Sequence, residues 1–489
     1  MNGRVYWKCT AGLFVLFAGL TVVYLHRVPG LMGDEASEGE NVYEILHVKP
    51  LTVVGERSYI GPVSDYLRVP FLLLFGYTAA SLRAVVLVFS WLTFWLLACV
   101  LYRVFSENQA LMGLVFVVFS PMYLTQERLG WAISLLPFYA VSIPSVLLLQ
   151  WRYRWLTAGL LAGLGVATHI LFLPTAAGVA AAAMLHFMLQ LRGGRLVVRR
   201  AAAAFLLAAI GFWAGFGSQF AVLRLLTDDQ GKPEAVAAAL PDRLAALPEL
   251  AVYLLSGSSY ISRYTGLEMT AVARAVITAT IGGLALIGTV VCLRRRGGQL
   301  FLAGVLVHAG VLLFMIDRFT LRYFVTFVLA VWLLAGLGTG WILGLVARSR
   351  FVPNGRGHAF AAASVAVGLG VWFAVGVLIP FLRTGGSTAD FSLANRTDSA
   401  AALVDVRPLL ACLSEAGPVY TENVHIWNRL QYVSHGRRDI QVLTESDAAA
   451  AKWLVHYREP AGERGAEDCT AASAERCPEL KHFCVLPVK

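Results

Sequence analysis

The chain has 489 residues, of which 58% are hydrophobic and only 14% charged, and its mean hydropathy is +0.66. Soluble chains run at roughly 45–50% apolar and about 25% charged, so this composition excludes a string of soluble domains, a disordered chain, a coiled coil or a small disulfide scaffold, and leaves a polytopic helical membrane protein. The net charge of +10 would suggest nucleic acid in a soluble protein, but in a membrane protein it reflects topology, and no nucleic-acid partner is expected.

A spanning helix needs about 20 apolar residues, because its backbone must satisfy its own hydrogen bonds in lipid. The sequence offers eleven candidates: 9–26, 80–101, 109–124, 131–150, 155–170, 172–190, 201–223, 269–292, 299–316, 324–346 and 359–382. The fifth and sixth are short. Arg152 and Arg154 precede them, and Arg192, Arg195, Arg199 and Arg200 follow. Both ends of the pair therefore belong in the cytoplasm, and the chain crosses twice, turning near His169–Pro174. With odd helices running outward, the inner side holds fifteen basic residues and one acid, Glu107, a charge of +14 that leaves −4 for the remainder. The first helix has a basic start and no small-residue cleavage site, and so reads as a retained signal anchor.

Three outer segments are long: 27–79, 224–268 and the tail 383–489. The expected division is a transmembrane domain over 1–382 and a soluble α/β domain over 383–489. In the tail, Asp398–Ala416 has helical apolar spacing, and Val419–Thr421, Ile440–Leu443, Trp453–His456 and Phe483–Leu486 read as short strands. Cys412, Cys469, Cys477 and Cys484 fit two disulfides in an oxidising compartment, with three pairings open. Cys9, Cys99 and Cys292 read as packing residues. Asn395-Arg396-Thr397 is a sequon by pattern.

The first outer loop carries the sharpest signal, the adjacent carboxylates Asp34 and Glu35. Two acids this close to a membrane surface are costly to desolvate. By position alone they suit equally an N-terminal cap for an interfacial helix over 36–48 or a functional site. Tyr59-Ile60-Gly61-Pro62 follows, then an apolar run Tyr66–Phe75, interrupted by Arg68 and Pro70 and too short to span. The loop therefore roofs a cavity at the outer leaflet with two membrane-hugging helices.

In order along the chain, Gly33-Asp34-Glu35-Ala36, Gly61-Pro62 with Tyr66-Leu67, Leu74-Phe75-Gly76, Leu82-Arg83, Ser120-Pro121 with Gln126-Glu127-Arg128, Gly159–His169 and Arg322-Tyr323 resemble the motifs of the GT-C superfamily of integral membrane glycosyltransferases. The branch is that of protein O-mannosyltransferases and lipid A aminoarabinose transferase. The resemblance covers about the first 345 residues and implies a helical membrane fold that moves a sugar from a polyprenyl-phosphate donor to an acceptor on the outer face. It implies that Asp34 is the catalytic base and that Glu35 helps hold the acceptor. In the aminoarabinose branch a Glu-Lys pair precedes the proline of the second motif. Here Ile60 and Gly61 stand there, which removes that branch's metal site and phosphate-binding lysine and argues against aminoarabinose as the sugar. A divalent metal stays open as a cofactor.

The chemistry agrees with this assignment. An attacking hydroxyl must lose a proton, which one carboxylate can take, and the leaving phosphate needs positive charge. Adjacent side chains on a helix point in different directions, so Asp34 and Glu35 cannot face each other across a sugar as glycosidase carboxylates do. Single-displacement inversion is therefore expected. Outer-face arginines are the candidate phosphate ligands: Arg128, Arg263 beside Tyr260 and Tyr264, and Arg322 beside Tyr323, whereas Arg318 suits a pair with Asp317. Tyr59 and His169 join the candidate substrate-binding set, although a lone His at a helix turn is more often structural. Arg83 could face inward or pair with Asp65.

The expected partners are the lipid-linked donor, membrane lipids and a glycan, lipid or protein acceptor. The expected location is a bacterial inner membrane, with the N-terminus cytoplasmic and the site and tail periplasmic. A transporter or lipid flippase is the alternative, though no internal repeat is visible; a non-catalytic scaffold whose tail binds a partner is a third reading.

Overall fold

The computed structural model describes residues 3–23, 25–26, 31–50, 60–148, 151–189, 195–217, 240–257, 269–315, 321–348, 356–379, 407–413, 417–422, 424–436, 440–457 and 483–487. The helices are α1 (Gly3–Val22), α2 (Gly33–His47), α3 (Val63–Phe75), α4 (Ala79–Val104), α5 (Glu107–Val118), α6 (Pro121–Gln126), α7 (Leu136–Leu148), α8 (Arg154–Thr168), α9 (Leu173–Met188), α10 (Arg195–Phe216), α11 (Leu240–Ser256), α12 (Ala271–Leu293), α13 (Arg296–Met315), α14 (Val325–Arg348) and α15 (Arg356–Phe373). Short 3-10 turns at Ala132–Leu135, Ile170–Phe172 and Leu321–Phe324 lead into α7, α9 and α14. The C-terminal part holds β1 (Gly417–Tyr420), β2 (Ile440–Val442), β3 (Trp453–Tyr457) and β4 (Phe483–Pro487), with α16 (Arg407–Leu413) and α17 (Val424–Ser434).

Seven helices among the described residues are long and apolar enough to cross a membrane, and Glu107–Val118, Ala132–Leu148 and Val367–Gly376 are shorter apolar helices. The protein is a multi-pass membrane protein, and among the described residues seven of the expected eleven spans are seen at full length. The clearest departure is 109–124, expected as one span. Its helix α5 has 12 residues, roughly 18 Å at 1.5 Å per residue. It stops before Ser120-Pro121, where the Ser120 hydroxyl accepts from the Tyr123 N–H and caps α6. The segment 112–137 is buried throughout. Irregular backbone at membrane depth is tolerated only where it is enclosed by protein.

Span α14 is the most enclosed of the seven, with Trp332 buried against Phe116 and Trp372. Helix α1 lies on α4, where the Tyr6 hydroxyl donates to the Ala98 carbonyl at 2.8 Å. Helices α8 and α10 meet through glycine. A Cβ on Gly159 or Gly163 would overlap the backbone of Ala208 or Phe212, and one on Gly211 or Gly215 would overlap Leu156 or Leu160. Two small-xxx-small faces thus bring the backbones together, as lipid-embedded helices do when burial alone gives no drive to associate.

In the tail the sheet order is β2-β1-β3-β4, parallel except for the antiparallel pair of β3 and β4. Leu409, Leu413, Val419, Ile426, Leu430, Val455 and Val485 form its own core. All four expected strands are present. The expected helix 398–416 is described only as α16, and residues 398–406 lie outside the described set. Helix α17, which crosses from β1 to its parallel neighbour β2, was not expected; Ile426 and Leu430 are its core contacts. Cys412 is disulfide-bonded. Cys469, Cys477 and the sequon at Asn395 lie outside the described residues, as does the side chain of Cys484. Cys9, Cys99 and Cys292 are free thiols, of which only Cys292 is buried.

Candidate active site

Helix α2 begins at Gly33 after an extended Met32 (φ −91°, ψ 154°), and its acidic first turn suits the positive end of the helix dipole. Glu35 turns back to close that end, its Oε2 accepting from the Met32 N–H at 3.0 Å. The same carboxylate takes the fork of Arg83 from α4, Nε to Oε1 at 2.8 Å and Nη2 to Oε2 at 2.6 Å, and Oε1 also accepts from the Gly130 N–H at 2.6 Å. The fourth contact of this knot runs from Arg83 Nη1 to the Leu25 carbonyl at 2.8 Å. Glu35 and Arg83 are both fully buried. Each Glu35 oxygen accepts two hydrogen bonds, so the carboxylate is occupied by the fold. The expectation that Glu35 holds the acceptor does not fit this placement, because the group has no access to a substrate. Arg83 pairs with Glu35, whereas Asp65 pairs with Arg68.

One turn further along α2, Glu38 repeats the pattern. It accepts from Arg68 Nη2 at 2.5 Å and from the Ala132 N–H at 2.9 Å. Arg68, on α3, also donates to Asp65 Oδ1 at 2.9 Å and to the Gly130 carbonyl at 2.6 Å. Burying these ions is tolerable because each is paired and most of its remaining valences are hydrogen-bonded, Arg68 Nε being the exception. The result locks α2, α3, the start of α4 and the buried loop 127–132 into one polar layer.

That loop carries Glu127 and Arg128, both buried. Arg128 reaches the open carboxyl end of α1, donating Nη1 to the carbonyls of Leu20 and Thr21 and Nη2 to that of Val23 at 2.6 Å. It serves as a helix C-cap. Burial, with the charge of Arg83 second, pushes its guanidinium down to about 9, so it stays charged at neutral pH. Burial also holds the Glu127 carboxyl well above the usual carboxylate range, between Ser90 and Tyr123. Three arginines (68, 83 and 128) and three carboxylates (35, 38 and 65) share the buried layer with Glu127. The expectation that Arg128 binds phosphate therefore meets a group that is 2% exposed and tied to α1. Arg128→Met is expected to strand those carbonyls and lower stability by about 1.5–3 kcal/mol, the range for hydrogen bonds to a charged group. Thermal unfolding in detergent measures it; an unchanged midpoint with weakened donor binding would return Arg128 to the phosphate.

Asp34 differs from its neighbours. It is half-buried, whereas Glu35 and Glu38 are buried. It is thus the acid of this turn that keeps access to its surroundings, held on a helix whose other face is pinned by two ion pairs. His169 sits at the α8–α9 turn, 4% exposed, where its Nδ1 accepts from the Leu171 N–H at 3.1 Å and its backbone bridges to Ile60. It caps the turn and ties the first outer loop to it. Tyr323 is half-buried at the entry to α14. Tyr59 and Arg263 lie outside the described residues, as does the side chain of Arg322, whose backbone sits in the same turn as Tyr323.

The described residues do not assemble a metal site. No group of three His, Cys, Asp or Glu stands within metal-binding reach among the described residues. The carboxylates nearest Asp34 are committed to arginines, and Ile60 and Gly61 bring no ligand. What sequence reasoning missed is Glu38, Asp65 and Arg68. Asp65 and Arg68 are three apart on α3, a spacing that makes them neighbours on one helix face, whereas Glu38 and Gly130 join them from distant parts of the chain.

No family model and no curated protein matches the chain. Solved structures do resemble it, among them two of one protein. One is the crystal structure of ArnT from Cupriavidus metallidurans bound to undecaprenyl phosphate, with a TM-score of 0.52 at 15% identity, covering 89% of this chain and 87% of that one. The other is the same protein in the apo state, with a TM-score of 0.51 at 14% identity and 97% of each chain covered. At this identity the likeness is one of fold. The chain shares the fold of these ArnT structures, and its ordered motifs resemble those of the GT-C superfamily.

Proposed function

We propose that the protein is a glycosyltransferase that moves a sugar from a polyprenyl-phosphate donor to an acceptor hydroxyl by single inverting displacement. The observation that carries this reading is the half-buried Asp34 at the first turn of α2, immobilised by the Glu35–Arg83 and Glu38–Arg68 pairs. A general base gains most when it is held in line with the attacking oxygen. The similarity of the fold to an ArnT crystallised with undecaprenyl phosphate supports the class of donor.

In this reading Asp34 takes the proton of the acceptor hydroxyl as that oxygen attacks the anomeric carbon, and the lipid phosphate leaves with the electron pair of the bond it loses. Positive charge for that phosphate is assigned to Arg322 at the entry to α14, with Tyr323 beside it, and in second place to Arg263 and Tyr59. The three buried arginines are left to the fold. The tail over 383–489 is assigned to the same outer face as the site, on the periplasmic side of a bacterial inner membrane. The disulfide at Cys412 supports an oxidising compartment.

Reconstitution in proteoliposomes with undecaprenyl-phosphate-linked hexoses and pentoses tests the reading. Transfer from one of these donors with inverted anomeric configuration, read by NMR, is expected. Retained configuration would exclude single displacement. Movement of the lipid between leaflets without transfer would favour a flippase.

A further inference from the structure

Helix α2 is held from a second side, by the C-terminal part of the chain. Tyr432, near the end of α17, is fully buried and lies over Gly39. A Cβ at Gly39 would come within 2.5 Å of its Cε2 and 2.6 Å of its Cδ2, so glycine is what lets the ring seat there. The Tyr432 hydroxyl donates to the Thr78 carbonyl at 3.1 Å, just before α4. Three residues beyond Tyr432, His435 closes the junction. Its Nε2 meets Glu40 Oε2 at 2.8 Å, and its ring stacks on Tyr43 with centroids 3.6 Å apart and planes 6° from parallel. Tyr77 stands edge-on to both Tyr43 and Tyr432. Tyr432 shares its apolar contacts with Ala36 and Val42 of α2 and with Leu72 and Leu82 of α3 and α4.

The two restraints on α2 are complementary. The ion pairs fix its first turn and a half through Glu35 and Glu38. The contacts from α17 fix its middle through Gly39, Glu40 and Tyr43. A helix held at one end only can still pivot about that end, and a pivot displaces Asp34 relative to any bound donor. We infer that Tyr432 and His435 are positioning residues, through which the C-terminal domain clamps α2 and sets the place of Asp34. The inference rests on the proposed role of Asp34 for its kinetic consequence, while the clamp itself is read independently.

Hydrogen exchange on the full-length protein in detergent tests the clamp without a substrate. In Tyr432→Ala and His435→Ala, amides of 36–47 are expected to exchange at least about tenfold faster, as for a segment that opens locally, while α12 keeps its protection. Gly39→Ala is expected to do the same by expelling the ring, and adding Tyr432→Leu to it restores protection by making room for the new methyl. Unchanged exchange in Tyr432→Ala and Gly39→Ala would overturn the clamp. Where a truncation does not fold, Tyr432→Phe and His435→Gln keep the packing and are expected to loosen 36–47 by smaller steps; the same exchange as wild type in both would overturn it too.

With a donor that supports transfer, the truncations are expected to lower kcat by roughly 10- to 100-fold, the scale of a small misplacement of a reacting group, with donor KM within about twofold. A raised KM at unchanged kcat, or no change in either, would overturn the positioning role. If no donor supports transfer, the proposed function fails and the exchange result still decides the clamp.

Discussion

Arg83→Met lowers the unfolding free energy by about 3–5 kcal/mol, the cost of breaking a buried ion pair from one side. It leaves Glu35 buried with the Met32 and Gly130 N–H groups as its remaining partners from the knot at the head of α2. Thermal and denaturant unfolding in detergent measure the loss. Adding Glu35→Gln removes the stranded charge while keeping an acceptor for one N–H, so the double variant is expected to be more stable than Arg83→Met alone. The coupling between the two sites is expected to exceed about 1 kcal/mol, as for residues in direct contact. Additive losses would mean that the fork seen between them contributes little.

Asp34→Asn is expected to act on the reaction and leave the fold alone. Asparagine keeps the shape and an acceptor oxygen but cannot take a proton. Loss of a general base costs about 10²- to 10⁴-fold in rate, so transfer in proteoliposomes is expected to fall by that range at unchanged donor KM. Because Asp34 is half-buried and asparagine keeps its shape, the stability change is expected to be smaller than that of Arg83→Met. Transfer retained at wild-type rate would remove Asp34 from the mechanism. The two variants together test neighbours in sequence separately: Arg83→Met asks whether the knot around Glu35 holds the helix, and Asp34→Asn asks whether the proposed base is needed.

The sequence made much of this fold legible because lipid imposes length and hydropathy directly. The spans at α4, α12, α13 and α14, the interfacial α2 and α3, the α8–α9 turn and all four tail strands follow from apolar runs and turn residues. The break between α5 and α6 was hidden, because protein rather than lipid encloses it, and the residues there stay as apolar as those of a span. Helix α17 was hidden for a different reason. Its pattern is short and mixed, since one side faces the sheet and Tyr432 faces α2.

In the candidate site, adjacency on a helix showed that Asp34 and Glu35 point apart, but not that Glu35 is buried against Arg83. Partner choice was not legible. Arg83 lies 48 residues from Glu35 and Arg128 more than 100 from the carbonyls it caps, so no local spacing announces either contact. Arg128 shows the hazard of reading charge by location: an arginine at an outer loop suggested a ligand for phosphate, and its geometry is that of a helix cap.

Gly130 joins the two ion pairs of the site, its N–H bonded to Glu35 and its carbonyl to Arg68. Those groups are set by the two backbone torsions of a single residue, so neither can turn without straining the other. Glu35 and Arg68 are therefore linked thermodynamically through that residue. The tightness of the seat adds to the link: a methyl on Gly130 would stand 3.0 Å from Leu82 Cβ and 3.1 Å from its carbonyl carbon, immediately before Arg83. Disturbance at either salt bridge is therefore expected to be felt by both, so that the polar layer yields together instead of fraying pair by pair.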